Sequence, residues 1–104
     1  MEKVLIDTFV VPEESKAAFL DGARQTQSFV RTLPGFVEGF LYEKHDGEGR
    51  INFLTIAVWK DEEAFENAKK AAAAEFQRRG FNPQERLKAL KVERARSTYE
   101  RTPY

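Results

Sequence analysis

The stretch Ile51–Trp59, INFLTIAVW, is the sequence feature that most restricts how this chain can fold. Its β-branched and aromatic residues are typical of a strand. Successive side chains of a strand point to opposite faces, and strands of small proteins usually have one apolar and one polar face. Here one face carries Ile51, Phe53, Ala57 and Trp59, and the other carries Leu54, Ile56 and Val58.

Patterns elsewhere in the chain predict the elements around this strand. Pro12 suits the first position of a helix that Leu-Pro-Gly at Leu33–Gly35 ends, and the sequence HDGEG predicts a tight reversal before the apolar strand. Asp61 is suited to cap a second helix, which Gly80 ends. The predicted strands are Lys3–Val11, Phe36–Lys44, Ile51–Trp59 and Val92–Tyr99, with a short helix from Pro83 to about Leu90.

The resulting order is strand, helix, strand, strand, helix, strand. This βαββαβ order predicts an α+β fold of the ferredoxin-like, split βαβ type, with both long helices on one face of an antiparallel sheet. We expect a single domain over residues 3–99 and a C-terminal tail at 100–104.

The other face of that sheet then has no cover within the chain. Leaving Leu54, Ile56 and Val58 in water would cost roughly 1.5–3 kcal/mol for each side chain. The first strand has the same two-sided apolar pattern. Because monomers rarely expose a contiguous apolar face, the sequence predicts a homodimer that packs sheet against sheet.

Composition excludes several classes of function. Lys and Arg total 17, as do Asp and Glu, and a net charge of zero is untypical of a nucleic-acid-binding protein. No apolar run approaches the ~18 residues of a membrane span, and the acidic N-terminus does not resemble a secretory signal. The chain has no cysteine and one histidine, His45, so we expect neither a metal site nor a bound cofactor. These features indicate a cytoplasmic protein.

Two segments carry a resemblance to a known family. LPGFVEGFLYEK, followed by a hairpin and FLTIAVWKDEEAFENA, resembles the antibiotic biosynthesis monooxygenase family, and the similarity runs from about Val4 to Tyr99. The most specific pieces are Pro-Gly-Phe at Pro34–Phe36 and Trp59 before DEEAF. The resemblance implies a dimeric α+β barrel. It also implies either oxygenation of anthrones and quinols without metal or flavin, or haem degradation.

The matching positions favour the first of these activities. The haem-degrading branch has an asparagine, a tryptophan and a histidine where this chain has Asp7, Ala68 and Gln77, so haem degradation is disfavoured. The anthrone-oxygenase pattern has the tryptophan at Trp59, but its asparagine and tyrosine are replaced by Thr55 and Phe65.

Three residues are therefore candidates for a catalytic site. Asp7 is a carboxylate among apolar residues of the first strand, where it would act as a general base or form a structural ion pair with Arg94, Arg96 or a helix lysine. Thr55 would orient a substrate oxygen. Trp59 would stack on an aromatic ring or serve packing alone.

The sequence supports two hypotheses of function. The first is a cofactor-independent monooxygenase acting on an aromatic polyketide or quinol-like molecule, with Asp7, Thr55 and Trp59 as the catalytic residues. The second is a non-catalytic dimer that binds a small aromatic or apolar ligand, or an accessory protein of a pathway or stress response. Loss of the asparagine and tyrosine favours the second hypothesis.

Overall fold

The computed structural model describes residues 1–45 and 47–104 and shows the ferredoxin-like α+β fold. Four antiparallel strands form one sheet, in which the second, third, first and fourth strands of the chain lie side by side in that order. Among the described residues, no helix is long and apolar enough to cross a membrane. The strands are β1 Lys3–Pro12, β2 Phe36–His45, β3 Arg50–Trp59 and β4 Glu93–Glu100, and the helices are α1 Lys16–Val30, α2 Glu62–Arg78 and α3 Pro83–Ala89.

The start of the first helix differs from the prediction. Pro12 is the last residue of β1, opposite Arg50, rather than the first residue of a helix. The Glu13 N–H donates to the carbonyl of Gly49 at 3.0 Å, so the chain stays attached to the sheet past the proline. A 3-10 helix, Glu13–Ser15, then turns the chain into α1 at Lys16.

The ends of α2 follow the local chemistry of the sequence. The Asp61 carboxylate accepts a hydrogen bond from the Ala64 N–H at 2.8 Å and caps the N-terminus. At the other end Gly80 has a φ of 65°, and the Phe81 N–H donates to the Phe76 carbonyl at 2.8 Å. The rings of Phe76 and Phe81 lie 5.5 Å apart, which completes a Schellman motif.

Helix α3 has an N-cap and a Schellman motif like those of α2, but with lysine where glycine is usual. The Asn82 side chain caps its start by accepting from the Gln84 and Glu85 N–H groups. Its C-terminus is a Schellman motif in which the left-handed position, with a φ of 59°, is occupied by Lys91 rather than glycine. The motif turns the chain directly into β4.

The Pro-Gly-Phe motif is explained by the position of Gly35. Its φ of +82° is in the left-handed region, and a Cβ built there would lie 2.4 Å from the Cβ of Ala64. The Gly35 carbonyl also accepts a hydrogen bond from the Lys60 N–H at 2.8 Å. Only glycine lets the α1–β2 loop pack this closely against the start of α2.

The hairpin between β2 and β3 has the predicted glycines in the left-handed region. Gly47 and Gly49 have φ values of 81° and 75°. Asp46, which belongs to the predicted HDGEG reversal, lies outside the described residues.

The two faces of the sheet have different surroundings, as the sequence predicted. On the helix face the core divides into two clusters: Val11, Phe19, Ile51, Phe53 and Val92 in one, and Trp59, Phe65 and Ala68 in the other. No helix of the described chain covers the opposite face, but Val58, which the sequence placed there without cover, is only 2% exposed. This face carries Phe40 and Tyr42 with stacked rings and an exposed Tyr99, beside half-buried Ile6, Leu54 and Ile56.

Candidate functional site

A cavity of about 640 Å³ lies between the sheet and the helices and is lined by residues of both core clusters. Strands β1, β3 and β4 form its floor, and α1, α2 and α3 form its walls. Most lining side chains are apolar, and its rim includes the exposed residues Lys69 and Gln84. A largely apolar cavity with a few polar groups is the usual form of a small-molecule site.

The three predicted site residues, Asp7, Thr55 and Trp59, all line this cavity. Asp7 and Thr55 are opposite each other on β1 and β3, so their side chains share one row of the sheet. Trp59 lies roughly 13 Å farther along β3 than Thr55. The sheet thus places Asp7 and Thr55 in the middle of the floor and Trp59 at one end.

Asp7 has a cationic partner from the neighbouring strand. Arg96 is opposite Asp7 in the β1–β4 pairing, and its Nε and Nη2 donate to Oδ1 and Oδ2 of Asp7, both at 2.8 Å. This bidentate geometry is among the strongest arrangements of a guanidinium and a carboxylate. The ion pair that the sequence left open between Arg94, Arg96 and a lysine is therefore formed by Arg96.

The two partners differ in their access to water. The Asp7 side chain is 7% exposed, whereas that of Arg96 is 46% exposed. The hydrogen bond to Asp7 raises the pKa of Arg96 above its usual value, although partial burial acts in the opposite direction. The pair leaves other N–H groups of the guanidinium free to bind a group in the cavity.

Trp59 closes the end of the cavity at which α2 begins. It is nearly fully buried and forms a cluster with Phe65 and Ala68 of α2. Phe36 meets its indole edge-on, with the ring centroids 5.4 Å apart. Between Trp59 and Thr55 the floor carries the small side chain of Ala57 on β3 and, opposite it on β1, Leu5.

The structure adds cavity residues that the sequence did not single out. The Gln27 Oε1 of α1 is buried and has no hydrogen-bond partner within the described chain, and it lies 3.1 Å from the position that a Cβ at Gly39 would take. Arg94 and Arg86 also line the cavity. The sequence named Arg94 only as a possible ion-pair partner of Asp7, and no sequence signal linked Gln27 to the site.

Comparison with known proteins identifies the family. Residues 4–78 match the family described as antibiotic biosynthesis monooxygenase, which is most of the chain. The chain belongs to this family. A search of curated proteins found no match.

Solved structures show the same fold. SnoaB of Streptomyces nogalater, described as a cofactor-independent oxygenase, is 23% identical over 99% of this chain and 95% of its own, with a TM-score of 0.66. A dimeric ferredoxin-like protein from an uncultured marine organism is 12% identical over 95% and 94%, with a TM-score of 0.68. A haem-degrading protein of Mycobacterium tuberculosis is 25% identical over 66% and 78%, with a TM-score of 0.55.

The cavity does not fit a haem group held through its iron. The described lining residues include no histidine, cysteine, methionine or tyrosine, which are the usual protein ligands of haem iron. Ala68 and Gln77 line the cavity at positions where the haem-degrading branch was expected to have a tryptophan and a histidine. His45, the single histidine of the chain, lies at the end of β2 against Glu43 and is not among the lining residues.

Proposed function

We propose that this protein is a cofactor-independent monooxygenase that acts on an aromatic polyketide or quinol-like small molecule. The observation that carries the proposal is the Asp7–Arg96 pair, which lines a largely apolar cavity together with Trp59. Membership of the monooxygenase family supports the same reading. The chemistry requires a proton acceptor, a counterion for the resulting anion and a site that holds an aromatic ring.

The proposed reaction begins with transfer of a proton from the substrate to a carboxylate oxygen of Asp7. The electron-rich substrate anion then reduces dioxygen itself and forms a bond from its carbon to oxygen. At an anthrone-type CH2 group, one oxygen atom becomes the new carbonyl and the other leaves as water together with both hydrogens. The balance needs no external reductant, because the substrate carbon supplies the electrons.

Arg96 has a defined part in this scheme. Before the proton moves, its guanidinium neutralises the carboxylate of Asp7. Proton transfer moves the negative charge to a substrate oxygen, which the free N–H groups of the same guanidinium can bind. Because one cation serves both states, formation of the substrate anion does not leave an unpaired charge in the apolar cavity.

Thr55 and Trp59 orient the substrate in the proposal. Thr55 is directly opposite Asp7, so its hydroxyl is suited to donate a hydrogen bond to a substrate oxygen near the reacting carbon. The distance of roughly 13 Å between the rows of Thr55 and Trp59 suits a molecule of several fused rings. The indole would hold the distal ring while Asp7 faces the reacting one.

Oxygen uptake tests this proposal directly. The purified, metal-free protein should accelerate oxygen consumption by an anthrone above the rate of autoxidation, and naphthols and quinols extend the panel. Asp7→Asn should abolish most of the acceleration because it removes the proton acceptor but keeps the shape. Asp21→Asn makes the same chemical change on the exposed surface of α1 and should behave as the wild type. Unchanged turnover in Asp7→Asn would remove Asp7 from the catalytic role.

A second candidate function follows from Phe65. This residue is buried beside Trp59 and has no hydroxyl, whereas the anthrone-oxygenase pattern is expected to have a tyrosine there. A protein without that group is suited to bind and shield an aromatic ligand without turning it over. Quenching of the fluorescence of Trp59 by the same compounds, with no excess oxygen uptake, would favour this alternative.

We also propose that two chains form a homodimer through the open face of the sheet. Tyr42 and Tyr99 are 54% and 53% exposed on this face, beside half-buried Leu54 and Ile56. Such a face is typical of an interface between subunits. A solved structure of the same fold is described as dimeric, which supports a dimer of this chain.

Light scattering after size exclusion measures the assembly. The wild type should have twice the chain mass of 12.0 kDa. Ile56→Lys would bury a charge in the interface and should yield monomers, while Ala74→Lys adds the same charge to the exposed surface of α2 and should leave the mass unchanged. A wild type that stays monomeric at high concentration would refute the dimer.

A further inference from the structure

The charges around the cavity are unequal. Among the residues that the structure describes, its lining includes four cationic side chains and a single carboxylate, that of Asp7, which is paired with Arg96. Lys69 has its own carboxylate partner in Glu66 at 3.1 Å. The remaining cations of the lining are Arg86 and Arg94.

These two arginines differ in what they contact. The Nη2 of Arg86 donates to the Ala18 carbonyl at 3.1 Å, and its guanidinium packs over Gly22, so it has a structural role between α3 and α1. Arg94 forms neither an ion pair nor a hydrogen bond with any residue that the structure describes. It is therefore a cation at the cavity whose hydrogen-bond donors are unused within the described part of the chain.

The position of Arg94 relates it to the proposed reaction centre. It is opposite Phe9 on β1, one row beyond the Asp7–Arg96 pair and about 7 Å from it along the strand. The Trp59 end of the cavity lies on the other side of that pair, roughly 20 Å from the Arg94 row. Arg94 is thus close to the reacting group and far from the ring-stacking end.

We propose that Arg94 determines specificity by binding a carboxylate carried by the aromatic ligand. This inference rests on the proposed function of the cavity. A guanidinium presents two parallel N–H groups that match the two oxygens of a carboxylate. Phe9, opposite it on β1, provides an apolar surface of the cavity beside this contact. The ligand is then an aromatic acid whose carboxylate lies on the side of the Asp7–Arg96 pair away from Trp59.

Binding of a matched pair of probes tests Arg94 without requiring turnover. Anthracene-2-carboxylate and anthracene-2-carboxamide differ only in charge and one atom of the head group. Trp59 is the single tryptophan of the chain and lines the cavity, so quenching of its fluorescence reports binding. The wild type should bind the carboxylate at least tenfold more tightly than the amide, and Arg94→Gln should remove this preference while amide binding stays the same.

Two further variants separate Arg94 from general effects of charge and folding. Arg24→Gln makes the same change at an exposed position of α1 outside the cavity lining and should keep the preference. Arg94→Lys keeps the charge without the forked donor and should retain an intermediate preference. Thermal unfolding of each variant should match the wild type, since Arg94 is an exposed strand residue.

The outcomes distinguish this inference from the function on which it rests. If wild type binds both probes equally, or if Arg94→Gln or Arg94→Lys leaves the preference at its full value, the role of Arg94 is refuted and the aromatic cavity stands. If neither probe binds, the cavity proposal fails and the carboxylate site fails with it. Loss of the preference in Arg24→Gln would assign it to net charge and would also refute the role of Arg94.

Discussion

Replacing Gly35 by alanine tests how closely the loop that contains the Pro-Gly-Phe motif packs against the start of α2. Gly35 lies between α1 and β2, and its backbone passes against Ala64 in the first turn of α2. The substitution adds one methyl group, yet it acts through two separate terms. One is the backbone conformation at position 35, and the other is the contact with Ala64.

The structure allows both terms to be estimated. An L side chain at a φ of +82° costs about 1–2 kcal/mol. The new Cβ would lie 2.4 Å from that of Ala64, and overpacking of this kind costs about 1–3 kcal/mol. Alanine also lowers the conformational entropy of the unfolded chain, and this offsets about 0.4–1 kcal/mol of the destabilisation. We expect Gly35→Ala to lower the free energy of unfolding by about 3 kcal/mol.

Urea denaturation followed by Trp59 fluorescence measures this loss, at one fixed protein concentration because dimer formation would couple to stability. Gly80→Ala is the matched control: its φ is +65°, and a Cβ there would meet no atom within 4 Å. It should cost only the backbone term, about 1 kcal/mol. The difference between the two variants isolates the contact with Ala64.

A double-mutant cycle then tests the contact itself. Ala64→Gly alone should lower the free energy of unfolding by about 1 kcal/mol, because glycine is a poor helix former. In the Gly35→Ala background the same change also removes the opposing Cβ, so its net cost should be smaller. We expect a coupling energy of about 1–3 kcal/mol between the two positions. Equal losses in Gly35→Ala and Gly80→Ala, together with a coupling energy near zero, would refute the close packing of this loop.

Three further predictions concern the site and the helix ends. Arg96→Ala leaves the buried carboxylate of Asp7 without its cation and should cost about 2 kcal/mol in urea denaturation, whereas Arg94→Ala should cost less than about 0.5 kcal/mol; equal losses would contradict the pairing. Lys91→Gly should raise the unfolding free energy by about 0.5–1 kcal/mol, because Lys91 has a φ of 59°, and no gain in melting temperature would count against that conformation. Hydrogen bonds from Arg78, and then Arg79, lower the pKa of Glu75 from its usual 4.5 to about 2. The stability that this carboxylate contributes should therefore be present above pH 4.5 and be lost as the pH falls towards 2. The difference in free energy of unfolding between wild type and Glu75→Gln should narrow over the same pH range, and a constant difference would contradict the lowered pKa of Glu75.

The secondary structure was predictable because its signals are local. Asp61 and Gly80 mark the ends of α2 through bonds to residues only a few positions away, and the structure has the predicted hydrogen bonds at both ends. The start of α1 was predicted wrongly for the opposite reason. The bond from Glu13 to Gly49 keeps Pro12 in the sheet, and nothing near Pro12 in the sequence encodes that distant partner.

The site was predictable in part. Alternation along β1 and β3 placed Asp7, Thr55 and Trp59 on the helix face, and all three line the cavity. Gln27 was not predictable as a cavity residue. Its position there depends on the rotation of α1 relative to the sheet, which results from packing around Phe19 rather than from any residue near Gln27.

The sequence by itself determined the order of the elements, the two-sided apolar strand and the face on which each candidate residue lies, because side-chain alternation and helix periodicity are properties of neighbouring residues. Only the tertiary structure decided which arginine pairs with Asp7. Arg94 and Arg96 share one face of β4, and a shift of the β1–β4 register by two residues would place Arg94 opposite Asp7 and Arg96 opposite Leu5. That register joins residues 89 positions apart, and it is set by packing of the whole sheet against its helices.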